Sequence, residues 1–151
     1  MKDKQLSVSA IEEGTVIDHI PGEVLFKVVS ILNLDQVDKR ITIGNNLGSG
    51  KLGRKGIIKL SRVFFEDHEI NKIALVAPSA KLNIIRNYEV VEKKVVEIPD
   101  EIIGIAKCVN PKCITNNEEV TTRFSVVSKT DLKLKCHYCE KITDQDNIEI
   151  L

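Results

Sequence analysis

Apolar residues recur along this chain in two rhythms, and the change from one to the other outlines its elements. Leu6-Ser7-Val8-Ser9-Ala10-Ile11 alternates apolar with small polar residues, which suits a half-buried strand. Glu12-Glu13-Gly14 breaks that run. Pro21 then opens a predicted helix, with Val24, Leu25, Val28, Ile31 and Leu32 along one face at helical spacing. Arg40-Ile41-Thr42-Ile43 reads as a strand, Gly44 to Gly56 as a Gly/Asn-rich loop, and Ile57 to Val63 as a second strand, so the three predict a long-tipped hairpin. Glu66-Asp67-His68-Glu69 starts a second helix whose buried side carries Ile70, Ile73, Ala74 and Leu75, and Pro78 lies beyond its end. Leu82 to Ile85 and Tyr88 to Ile98 supply further extended segments.

The order is strand, helix, strand, strand, helix, strand. That is the split βαβ plan of ferredoxin-like α+β folds, two helices on one face of an antiparallel sheet. Pro99-Asp100 marks a junction and divides the chain into 1–100 and 101–151. Beyond it, Ile102 to Ala106, Val120 to Val127, Leu132 to Leu134 and Ile148 to Ile150 read as short strands, with no helical period. A small all-β module of about fifty residues buries too little surface to hold itself together, so a staple is expected.

Composition narrows the class. Hydrophobic residues make up 42% of the 151, which permits a buried core, while aromatics at 4% and the absence of Trp leave that core to Ile, Val and Leu. No apolar run approaches the ~20 residues of a membrane helix. Met1 to Gln5 is charged rather than leader-like, so a cytoplasmic protein is expected. Net charge is zero, and neither half hides an excess: residues 1–100 carry fifteen Lys and Arg against fourteen Asp and Glu. A nucleic-acid module concentrates positive charge to displace phosphate counterions, and this chain does not.

All four cysteines fall in the last third, as Cys108-x4-Cys113 and Cys136-x2-Cys139 with 22 residues between the pairs. Two close pairs separated by a strand hairpin can set four thiolates at the corners of a tetrahedron, which suits one Zn2+ ion. Four thiolates leave no open position, so such a site is structural. Two disulfides or a redox Cys-x2-Cys are the alternatives, but clustering in a cytosolic chain favours metal, and a redox pair needs no second, wider pair. Lys107, Lys112, Lys135 and Lys141 lie beside the ligands and can offset their negative charge, and His137 is expected to be a bystander. A zinc ribbon that binds nucleic acid is the rival reading, and the balanced charge argues against it.

Gly48-Ser49-Gly50-Lys51-Leu52-Gly53 matches the dinucleotide pattern G-x-G-x-x-G, but it leads through Arg54-Lys55-Gly56 into a strand rather than into a helix. It also misses the phosphate-loop pattern, because Asn45 stands where the first glycine belongs. A hairpin tip is the better reading. No Ser/His/Asp order and no paired-carboxylate cleft stands out.

Thr15-Val16-Ile17-Asp18-His19-Ile20-Pro21 places an acid and an imidazole at the end of a strand, ahead of a proline-led helix. Together with Arg40-Ile41-Thr42-Ile43-Gly44, Gly53-Arg54-Lys55, Asn87-Tyr88-Glu89-Val90-Val91 and Cys136-His137-Tyr138-Cys139-Glu140-Lys141, it resembles the regulatory chain of aspartate carbamoyltransferase along nearly the whole sequence. The resemblance implies a non-catalytic subunit of pyrimidine biosynthesis, with an N-terminal allosteric domain for CTP or ATP and a C-terminal zinc domain that docks on the catalytic chain. It also implies homodimers of regulatory chains, three of them bridging two catalytic trimers. Carried over by position, Ile11 and Tyr88 resemble base contacts made largely by backbone groups. Asp18 and Lys59 resemble ribose contacts and His19 and Lys93 phosphate contacts, while Asn83 and Val90 line the pocket. Taken singly, each would read as an ordinary turn, strand or solvated residue. Ser9 and Gln5 depart from the pattern near the base and the phosphates, and Lys94 adds a charge beside Lys93.

Overall fold

Gly14–Pro21 forms the central strand, β1, and seven of its eight residues carry a side chain that is buried or half-buried. A strand covered on both faces shows no alternation, which is why its run reads poorly as a strand by pattern alone. The computed structural model describes residues 10–49 and 53–151. The predicted strand from Leu6 lies mostly outside the described residues, and Ala10 and Ile11 are not in a strand.

A short 3-10 turn, Gly22–Val24, follows Pro21 and leads into helix α1, Leu25–Ile31. The helix buries Leu25, Val28 and Ile31 of the face that its spacing predicts, while Val24 and Leu32, expected on the same face, flank the helix and are half-buried. Strands β2, Ile41–Ser49, and β3, Gly53–Ser61, come next. Here the expectation of a loop from Gly44 to Gly56 is corrected at its flanks: Gly44 pairs with Ile57 and, after a shift in register, Leu47 with Lys55 through Ser49 with Gly53, while the expected tip at Gly50, Lys51 and Leu52 lies outside the described residues. Cross-strand bonds belong to the backbone, so a Gly- and Asn-rich stretch can pair when a neighbouring strand is in register.

Helix α2, Asp67–Asn71, opens with a capping box: Glu66 accepts from the Glu69 backbone, and the Glu69 side chain accepts from Glu66 N–H at 3.0 Å. A 3-10 turn, Lys72–Leu75, extends it, and Ile70, Ile73, Ala74 and Leu75 are buried. Strands β4, Lys81–Arg86, and β5, Glu89–Val95, close this part of the chain.

The five strands lie in the order β2-β3-β1-β4-β5, with every pair antiparallel. The first four positions are the ferredoxin-like arrangement, and β5 is an added edge strand. Register sorts the side chains into two faces. Thr15, Ile17, Ile58, Leu60, Leu82 and Ile84 share the face that α1 covers: a Cβ on Gly56, two residues before Ile58, would meet Leu25 at 2.8 Å. Thr15, fully buried, donates its hydroxyl to the Val63 carbonyl at 2.6 Å. The second face carries Val16, Ile57 and Ile85, and Ile11 packs against them.

The chain divides into two compact units, Met1–Glu97 and Ile98–Leu151. In the second, β6 (Glu101–Ile103), β8 (Arg123–Ser128), β9 (Lys133–Cys136) and β10 (Ile142–Asp144) form a sheet ordered β10-β9-β8-β6. Strands β7 (Ala106–Lys107) and β11 (Glu149–Ile150) pair separately. Ile102, Phe124 and Leu134 are almost wholly buried and supply its small core.

Candidate functional site

The four cysteines come together. Their sulfurs all lie within 4.8 Å of one another, with Cys108 to Cys139 at 3.6 Å and Cys113 to Cys136 at 3.7 Å. A tetrahedron of Zn–S bonds of ~2.3 Å has edges of about 3.8 Å, so the cluster is already the size of a zinc site. All four are free thiols, and three are buried. Backbone N–H groups also favour thiolate at each sulfur: Asn110 at Cys108, Thr115 at Cys113, Cys139 and then Tyr138 at Cys136, and Lys141 at Cys139. The Thr115 hydroxyl adds a bond to Cys113 at 3.2 Å. The second knuckle is closed by Glu140 in a left-handed conformation, with its N–H donating to the Cys136 carbonyl at 3.0 Å.

These groups set the thiol acidities. Burial pushes Cys108 up to about 12. Burial acts the same way on Cys139, but the Lys141 amide and the Asn110 side chain outweigh it and bring this thiol down to about 7. A site that favours thiolate at some positions and penalises unpaired charge at others is one that a divalent cation completes. The residues therefore fit one structural zinc ion, bound by Cys108, Cys113, Cys136 and Cys139; when bound, it cross-links the two knuckles and performs no chemistry. Of the four nearby lysines, Lys135 faces Glu140 at 3.6 Å and Lys107 faces Glu149 at 4.0 Å, so these two are shared with carboxylates. His137 is exposed and stands edge-on to Tyr138, away from the ligand set.

The first unit gathers the other candidates on the second face of its sheet. One cross-strand row runs Thr42, Lys59, Val16, Asn83, Lys93, from β2 to β5. At about 4.8 Å per strand, Lys59 and Lys93 stand about 14 Å apart, the scale of a phosphorylated nucleoside. Two residues along, Asp18 pairs with Lys81 and Lys81 with Val95. Two residues the other way, Ile85 faces Val90 and packs with Ile11. Tyr88 sits in the left-handed Asn87-Tyr88 turn, exposed, and its N–H donates to the Glu12 carbonyl at 2.8 Å. That bond ties the segment holding Ile11 to the β4–β5 turn. Ile11 and Tyr88 share a cleft of about 530 Å3 with Arg40, Thr42 and Arg62.

Asp18 and His19 occupy an irregular corner of β1. The Asp18 carboxylate accepts from Lys55 Nζ, 3.1 Å from one oxygen and 3.3 Å from the other. Lys59 is buried, which lowers its pKa, and the Asp18 charge partly offsets that shift. Lys94 does not join this group. It points to the helix side, where Asp67 holds it at 3.0 Å, because adjacent strand residues face opposite ways. The expectation of an added charge beside Lys93 is therefore corrected. Ser9 and Gln5 lie outside the described residues. Sequence reasoning missed Lys55 as the partner of Asp18; only its place in the Gly53-Arg54-Lys55 run singled it out. It also missed Lys81, which nothing but register places beside Asp18.

Fold and site together define a small two-part α+β protein: a zinc-stapled module, and a sheet whose cationic, hydrogen-bonding face suits a phosphorylated ligand. Residues 6–97 match the family model described as aspartate carbamoyltransferase regulatory chain, allosteric domain, and residues 100–149 match its metal binding domain. Relatives with the name aspartate carbamoyltransferase regulatory chain agree over nearly their whole length. The one from Bacteroides thetaiotaomicron is 60% identical over 97% of this chain and 95% of its own, and that from Porphyromonas gingivalis is 56% identical over the whole of both. The relative from Thermococcus sibiricus is 56% identical over 96% of each chain. The chain belongs to the aspartate carbamoyltransferase regulatory chain family. It is thus a regulatory and not a catalytic subunit, the zinc-ribbon nucleic-acid reading is not favoured, and a catalytic-chain partner is implied.

Proposed function

We propose that this chain binds CTP and ATP on the second face of its first sheet and passes the effect to catalytic chains through its zinc module, so controlling pyrimidine biosynthesis. The observation that carries the reading is the Lys59–Val16–Asn83–Lys93 row, with Asp18 and His19 at one end and Ile11, Tyr88 and Val90 at the other. A carboxylate accepts ribose hydroxyls, and lysines and an imidazole donate to phosphate oxygens. Backbone groups near Ile11 and Tyr88 can distinguish the edges of a base. On this reading residues 1–100 form the allosteric domain and 101–151 the docking domain, in a cytoplasmic assembly where three regulatory homodimers bridge two catalytic trimers.

The chain itself performs no chemistry. Nucleotide shifts the catalytic partner only if it binds the two states of the assembly with different affinity, and a coupling of ~1–3 kcal/mol is enough. The test is to assemble the chain with its catalytic partner and record aspartate saturation without nucleotide, with CTP and with ATP. Curves that separate with nucleotide, and that collapse together in Lys93→Ala while assembly persists, are the expected result. Superimposed curves from a verified wild-type assembly would leave the chain only a structural bridge.

A further inference from the structure

Between the pairs Ile17–Ile58 and Ile20–Gly56, β1 has two residues, Asp18 and His19, where β3 has only Ile57. This is a β-bulge, a device that re-aims a side chain. His19 holds φ of 60°, a left-handed conformation uncommon for a residue with a side chain. It has no partner in the register of either neighbouring strand. Its backbone groups bond to side chains instead: the N–H donates to Asp18 Oδ1 at 2.7 Å, and the carbonyl accepts from Ser79 Oγ at 3.0 Å.

Ser79 stands in the turn just before β4, where the Ala80 N–H donates to the Ala77 carbonyl at 3.0 Å. The β1–β4 pairing ends at Asp18 opposite Lys81. The Ser79 hydroxyl therefore carries the contact between these strands one residue beyond the last backbone pair. The imidazole makes no hydrogen bond through its buried Nδ1, whose nearest charged neighbour is Asp18 Oδ2 at the ion-pair distance of 3.6 Å. With no hydrogen bond from Nδ1, the ring's position depends on the backbone of His19 and on its neighbour Asp18.

We propose that Ser79 is a positioning residue for phosphate recognition, holding the left-handed bulge so that His19 presents its imidazole to the phosphates of a bound nucleoside triphosphate. This rests on the nucleotide reading above and adds a residue that acts through His19. CTP affinity is measured by calorimetry on the full zinc-loaded chain. Ser79→Ala is expected to weaken it roughly 3- to 10-fold, the scale of one lost neutral hydrogen bond, while Ser79→Thr keeps it. His19→Gly removes the ring but tolerates the same φ, and adding Ser79→Ala to it should then cost nothing more.

A ligand-free measurement accompanies the titrations. Ser79→Ala should move the imidazole signals of His19 in the NMR spectrum and leave those of His68 and His137 in place, and Ser79→Thr should move none. Unchanged CTP affinity in Ser79→Ala would overturn the proposal, as would an equal loss in the His19→Gly background or unmoved His19 signals. Wild-type affinity in both His19→Gly and Lys93→Ala is a separate outcome, which removes the nucleotide reading itself.

Discussion

In the second unit the residues that define the site lie within two short spans, 108–113 and 136–139, whereas in the first they come from segments spread between Ile11 and Lys93. The zinc knuckles are local objects. Each is a turn whose own amides face its own sulfurs, so spacing along the chain suffices to build it. The nucleotide-site candidates are held together by strand register and, at Ile11 and Tyr88, by the bond from the Tyr88 N–H to the Glu12 carbonyl, and no two rows of that face are contiguous in sequence. One site follows from chain geometry and a metal, the other from a hydrophobic sheet core.

That contrast is open to direct attack. The largest effect should come from Cys113→Ala or from chelation, because zinc binding of this kind supplies roughly 10–16 kcal/mol to a module with a core of few residues. Amide NMR signals from 98–151 should collapse while those from 10–97 persist; loss of both sets would show that the units do not fold separately. The converse variant is Ile17→Ala, which empties a fully buried position in the first sheet. It should cost about 2–5 kcal/mol in thermal unfolding of the first unit, with zinc content unchanged.

Lys93 and Lys94 sharpen the comparison at a smaller scale. Lys93→Ala should weaken CTP by about 10- to 100-fold, the scale of a lost charged hydrogen bond. Lys94→Ala should leave CTP binding alone and cost at most ~1 kcal/mol of stability, since its pair with Asp67 is solvent-exposed. Equal losses of CTP affinity from both variants would contradict the assigned faces. The mildest probe is pH. Zinc must displace protons from thiols, above all from Cys108, held up at about 12, so metal affinity falls as pH falls. Competition with a chromophoric chelator should show release growing steadily below neutrality, and release that grows as pH rises would refute a four-thiolate site.

Much of this was legible before any coordinates. The buried stripes Leu25, Val28, Ile31 and Ile70, Ile73, Leu75 follow from helical spacing, and the capping residues Glu66 and Glu69 mark their helix start. The split βαβ order was legible as well, although the expectation set its first strand at Leu6–Ile11 and the structure has it at Gly14–Pro21. The central strand was harder, because Gly14–Pro21 is covered on both faces and shows no period of two. The Gly44–Gly56 stretch misled for the opposite reason. Its composition favours a turn, yet its backbone pairs at Gly44 opposite Ile57 and again from Leu47 opposite Lys55 to Ser49 opposite Gly53.

What the sequence by itself determined is whatever depends on neighbours a few residues away: the cysteine spacing and its metal, the two helix faces, the balanced charge. What only the tertiary structure decided depends on register between distant strands. It sent Lys93 to one face and Lys94 to the other, set Lys81 opposite Asp18, put Lys55 opposite Pro21 where its side chain reaches Asp18, and forced His19 into a bulge closed by Ser79. The physical reason is the two-residue period of the strand. A slip of one residue exchanges its faces, and only the packed core chooses between the alternatives.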